Sequence, residues 1–160
     1  MSGLLGFPNP VNEKAARVVA GCVAVIGVVS VVTSAHWLLA VLAVGFLLRV
    51  MSGPRFSPLG LLATKVVAPR LGPPTLVAGP PKRFAQGLGL AMTTVGAVLA
   101  LGFGAEGAAD VVLLALIVAA TLESAFALCL GCKLFAVLMA AGLVPDDVCA
   151  QCANVSLRRA

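Results

Sequence analysis

Four long apolar stretches, separated by short polar breaks, constrain this chain more than any other feature. They run from Val18 to Val32, Trp37 to Val50, Phe84 to Phe103 and Val111 to Leu128. A helix crossing a bilayer needs about 20 predominantly apolar residues. Backbone groups in lipid must find their partners within the segment, so each stretch is expected to be a helix. Composition agrees: 61% of residues are hydrophobic, 11% are charged and the mean hydropathy is +1.10. Soluble domains carry about a quarter charged residues. The expected class is therefore an all-α integral membrane protein with four transmembrane helices, its first partner being the lipid bilayer.

The spans fall into two tandem hairpins. The first two are short and joined only by the turn Thr33–His36, which predicts a tight hairpin; Glu106, Gly107 and Asp110 mark the second turn. Arg17-Val-Val-Ala-Gly21 opens one hairpin and Arg83-Phe-Ala-Gln-Gly87 the other. Phe56-Ser-Pro-Leu-Gly-Leu-Leu-Ala63 lines up with Ala127-Leu-Cys-Leu-Gly-Cys-Lys-Leu134, so the halves read as copies in one orientation. Each hairpin is followed by an apolar segment too short to span, Leu59–Ala68 and Lys133–Leu143, expected as interfacial half-helices. The chain then divides into repeat one (17–68), a stiff proline-rich linker (69–82), repeat two (83–143) and a cysteine-containing tail (144–160). Lys14 and Arg17 before the first span, with Thr33-Ser34-Ala35 after it, imitate a cleaved leader; Pro8, Pro10 and Glu13 and the repeat itself argue against one.

Basic residues set the orientation. Lys14 and Arg17 precede the first span, Arg49 ends the second, and Arg55, Lys65, Arg70, Lys82 and Arg83 lie between the second and third. Lys133, Arg158 and Arg159 follow the fourth, while the two hairpin turns hold no Lys or Arg. This places both termini and the middle loop on the cytoplasmic face of the plasma membrane. The net charge of +5 lacks the aromatic-interleaved patches of a nucleic-acid surface, so it reads as topology.

Of five cysteines, Cys22 lies within an apolar run as a packing residue and four form two CxxC pairs, Cys129–Cys132 and Cys149–Cys152. Sixteen residues (133–148) separate the pairs, a spacing that suits a four-cysteine zinc site, an iron–sulfur cluster or two communicating dithiols. Dithiol chemistry has the stronger support. The first pair falls where a half-helix begins, so the helix dipole and Lys133 should favour its thiolate. Cys129 is expected to be the more exposed nucleophile and Cys132 its resolving partner. Cys149 and Cys152 follow Pro145-Asp-Asp147, a capping sequence for a terminal helix. In the cytosol such pairs cycle, bind metal or stay reduced.

Glu123, an acidic residue inside a span, is a functional candidate on cost alone. It is expected either to relay a proton from the thiols or to be held structurally by Ser52, Ser57, Thr121, Arg49 or Arg55. His36 beside Trp37 reads as interfacial, and Asn9, Pro10, Asn12 and Glu13 as a cap for the first helix.

The residues Asn9-Pro-Val-Asn-Glu13, Ser57-Pro-Leu-Gly60, Leu122-Glu-Ser124, Cys129-Leu-Gly-Cys132 and the last CxxC pair resemble a bacterial membrane family catalogued as domain of unknown function 4395. The resemblance covers nearly the whole chain and implies a membrane fold; it brings no activity with it. Each hairpin is also similar to the membrane segment fused to rhodanese sulfurtransferases, with its Phe-Cys-Pro-Leu motif. Here Phe56-Ser57-Pro58-Leu59 carries serine in place of the cysteine. The expected function is a cytosol-facing membrane thiol protein handling disulfide or persulfide sulfur, with a thioredoxin-like or rhodanese-like soluble partner. The alternatives are a structural zinc site on Cys129, Cys132, Cys149 and Cys152, or a subunit of a sulfur-compound transporter, which would need a homo-oligomer to form a path.

Overall fold

The computed structural model describes residues 7–145. Four helical runs are long and apolar enough to cross a membrane: Glu13–Thr33, Trp37–Arg70, Gly79–Gly102 and Glu106–Phe126. The protein is a multi-pass membrane protein. Its elements are β1 (Val11–Asn12), α1 (Glu13–Thr33), α2 (Trp37–Ser52), α3 (Pro58–Leu62), α4 (Ala68–Arg70), β2 (Leu76–Val77), α5 (Gly79–Ala97), α6 (Glu106–Phe126) and α7 (Leu130–Ala140). A wider-wound segment, Ala63–Val67, joins α3 to α4, and another, Val98–Gly102, prolongs α5. At 1.5 Å per residue the 21-residue α1 is roughly 31 Å long, so the first span is a full crossing and not the short one expected.

The fold is apolar inside and out, as lipid requires. Leu39, Leu42, Phe46, Val23, Leu113 and Leu116 form the core, while Val25, Val32, Val98, Val111 and Val118 face outward. Packing departs from the expected hairpins. The turn between α1 and α2 is indeed tight: Ser34 is left-handed, and Ala35 N–H donates to Ser30 O at 3.0 Å. Yet the most extensive contacts join α1 to α6 and α2 to α5, each helix pairing across the two halves. Small residues permit this. Gly89 of α5 leaves the space that the Phe46 ring of α2 fills.

Two arginines tie these pairs at one end of the bundle. Arg17 of α1 donates from Nε to Ser124 O (3.0 Å) and from Nη2 to Ala125 O (3.2 Å), satisfying carbonyls in the last turn of α6. Arg83 of α5 donates from Nε to Val50 O of α2 at 3.1 Å. At the opposite end His36 is buried: its Nε2 meets Asp110 Oδ1 of α6 at 2.9 Å, joining the two hairpin turns.

The proline-rich linker is anchored. β1 and β2 form a two-stranded antiparallel clip, Val11 opposite Val77, and Glu13 N–H donates to Thr75 O at 2.8 Å. Of the polar N-terminal motif, Asn12 caps α1 by accepting from Lys14 N–H at 3.1 Å. Asn9 instead accepts from Gly79 N–H at 3.0 Å. Helix α5 needs this, because its cap position is Ala78 and Pro80 and Pro81 carry no N–H. The helix thus begins at Gly79, so Lys82 belongs to its first turn and not to the linker. Asn9→Ala is expected to lower stability by roughly 0.5–2 kcal/mol, the range for losing an N-cap. Thermal unfolding of the detergent-solubilised protein checks this, with an unchanged midpoint counting against the cap.

Candidate dithiol site

Helix α6 ends at Ala127, in a left-handed conformation whose N–H donates to Leu122 O. The chain then turns, and α7 starts with Cys129 as its N-cap: the thiol sulfur accepts from Cys132 N–H at 3.3 Å. An N-cap side chain folds over the first turn, where the residue three positions later also lies. The two cysteine side chains accordingly approach to 2.7 Å without a disulfide. The close seat of α7 on α5 depends on Gly131, whose missing Cβ leaves room for the backbone of Ala85. Phe135 of α7 stacks on Phe84 of α5, with ring centroids 5.5 Å apart.

Beneath Cys129 lies an ion pair. Lys82 Nζ of α5 donates to Glu123 Oε1 of α6 at 2.6 Å, and both side chains are largely buried. The partner of Glu123 is therefore none of Ser52, Ser57, Thr121, Arg49 or Arg55. The expectation counted Lys82 as a loop cation, whereas α5 carries it into the bundle. The signal was present: Pro80-Pro81 marks the first turn of a helix.

The two thiols are unequal. A hydrogen bond from the Cys132 S–H holds Cys129 below the ordinary thiol range, and the Lys82 cation acts in the same direction against burial and the Glu123 carboxylate. The same bond, together with burial, pushes Cys132 up. Of the two thiols, Cys129 is thus the one held lower, through the Cys132 hydrogen bond and Lys82. It is not the more exposed of the two: Cys129 is 8% exposed and Cys132 half-buried. The reason is the cap itself, which turns the Cys129 sulfur back over α7.

Two cavities adjoin Cys129. One, of about 490 Å³, opens beside Cys132, Lys82, Lys133 and Glu13. The other, of about 330 Å³, runs along the apolar spans past Val23, Phe46, Leu116 and Glu123. Among the described residues, Cys129 alone lines both.

Ser57 occupies an equivalent local position. It caps α3, its Oγ accepting from Gly60 N–H at 3.3 Å and from Arg49 Nη1 at 3.4 Å. The sequence alignment set Ser57 opposite Leu128; the cap geometry sets it opposite Cys129, one position later. Cys149 and Cys152 lie outside the described residues. Among those residues no three His, Cys, Asp or Glu side chains gather as metal ligands, so a zinc site would have to recruit sulfurs from the tail.

The family model described as a domain of unknown function (DUF4395) matches residues 11–140, so the chain belongs to that family. No curated protein and no solved structure matches it.

Alkylation followed by mass spectrometry across a pH series tests the inequality. Cys129 should react with a midpoint below about 8.5, the ordinary thiol value, and Cys132 only at higher pH. Earlier reaction of Cys132 would reverse the assignment.

Proposed function

We propose that this member of the DUF4395 family is a plasma-membrane thiol protein handling disulfide or persulfide sulfur, with its dithiol and both termini on the cytoplasmic side. The observation that carries the reading is the Cys129 sulfur at the N-cap of α7, in contact with Cys132 and beside the Lys82 cation. The arrangement of basic residues supports the orientation, since Lys14, Arg17, Arg49, Lys82 and Arg83 sit at the same end of the bundle as the thiols.

The chemistry runs in two exchanges. The Cys129 thiolate attacks one sulfur of a partner disulfide, forming a mixed disulfide and releasing the partner's other thiolate, which takes up a proton. Cys132 then attacks Cys129 Sγ; the Cys129–Cys132 disulfide forms, and the Cys132 proton leaves with the second partner thiol. The protein dithiol is oxidised and the partner disulfide is reduced, by two electrons. With a persulfide, Cys129 instead accepts the outer sulfur and the donor leaves as a thiol. The open cleft beside Cys132 and Lys133 is the side from which a soluble partner of the thioredoxin-like or rhodanese-like kind would approach. In this reading Cys149 and Cys152 form the second dithiol of the relay, and Glu123 positions Lys82.

Cys132→Ser should accumulate a mixed disulfide at Cys129 in cells, resolved by non-reducing electrophoresis and peptide mapping, and Cys129→Ser should accumulate none. Absence of any adduct, with about one zinc per chain in the purified protein, would instead favour the structural metal site.

A further inference from the structure

We propose that Arg49, with Lys82, forms a binding site for a small anion carrying an apolar body, in a cavity separate from the thiols. Arg49 lies in the last turn of α2 and is 4% exposed. Its Nε donates to Gln86 Oε1 at 2.9 Å, its Nη1 to Ser57 Oγ at 3.4 Å, and its guanidinium lies over the Phe46 ring, 4.5 Å from the centroid. These partners are neutral. Among the described residues the ion pairs are His36–Asp110 and Lys82–Glu123, so no carboxylate faces this guanidinium. Among the described residues its Nη2 is buried and without a hydrogen-bond partner.

A buried cation whose counter-charge is missing is costly, and the cost is greatest for a donor left unmade. A guanidinium presents paired N–H groups in a plane, the geometry that takes a carboxylate, sulfonate or phosphate by two bonds. Arg49 lines a cavity of about 260 Å³ that Lys82 and Gln86 also line. Lys82 spends one donor on Glu123, and its ammonium carries three. The remaining walls include Phe7, Pro54 and Leu76, which favour an apolar body over a fully hydrated inorganic ion. Among the described residues no cysteine lines this cavity, which shares Lys82 with the cleft beside the thiols.

The test uses the full chain in nanodiscs of zwitterionic lipid, with hexanoate and hexanesulfonate as probes and hexanol as the neutral control, read by calorimetry and by the shift in unfolding temperature. Both anions should bind saturably and stabilise the protein, and hexanol should do neither. Arg49→Gln should weaken binding by ~10-fold or more, the worth of a charged hydrogen bond. Because that change removes an unpaired charge, the empty variant should unfold no earlier than the native chain. The double variant Asp146→Asn, Asp147→Asn should still bind the anions; binding that appears only in this variant would show that the tail supplies the missing charge and would overturn the proposal. Adding anionic lipid separates two sources of the ligand: competition with hexanoate identifies a lipid headgroup, and unchanged binding identifies a soluble anion. Equal binding of hexanol, or an Arg49→Gln variant that binds as well as the native chain, would overturn it too.

Discussion

The Lys82–Glu123 ion pair is the interaction on which the rest of this structure turns. Two opposite charges sit inside the ends of two membrane helices, where each alone would be costly. A buried pair of this kind contributes little net stability, but losing one member leaves the other stranded, at a cost of about 3–5 kcal/mol. Its value is therefore in specification. The pair holds α5 against α6 at the end where α7 leaves the bundle, and it places one fixed cation and one fixed anion against the Cys129 sulfur. The two charges act on the thiol in opposite senses, beside the larger effect of the Cys132 hydrogen bond.

The other polar contacts follow the same logic. In lipid there is no hydrophobic force between helices, so packing and a few directed hydrogen bonds decide which helices meet. Arg17 seals the last turn of α6, and Arg83 reaches the end of α2. His36 and Asp110 fasten the opposite end. Each bond joins a helix of one half of the chain to a helix of the other. That is why α1 with α6 and α2 with α5 make the extensive interfaces, although each hairpin is contiguous in sequence. Arg49 belongs to this group by position and departs from it in burial: it is 4% exposed, and its Nη2 has no hydrogen-bond partner among the described residues.

Much of the fold was legible in the sequence, and the reason is physical. A span in lipid must be long, apolar and helical, so hydropathy alone locates four of them. The cap at Cys129 could also be read, because a CxxC at the break between two apolar segments has few other places to lie. What could not be read was the partnering. Lys82 was counted by the orientation rule, which treats every cation near a span end as solvent-facing, and a Pro-Pro start to α5 carried it inside. Glu123 consequently received the wrong set of partners. The partner of His36 was not foreseen either, since one residue at a turn does not reveal a carboxylate 74 positions away. Asn9 shows the limit of local capping rules: the helix it caps begins 70 residues later. The register between Ser57 and Cys129 was missed by one position because apolar segments align almost equally well at neighbouring offsets.

That the Lys82–Glu123 pair acts on the thiol, beside the larger effect of the Cys132 hydrogen bond, is tested most directly by the pH midpoint of Cys129 alkylation in Glu123→Gln and Lys82→Met. Removing the carboxylate should move the midpoint down, since Glu123 opposes the thiolate; removing the ammonium should move it up. The double variant should fall between them. Midpoints that stay together in all three variants would show that the pair and the sulfur do not communicate, and the account would be wrong at its base.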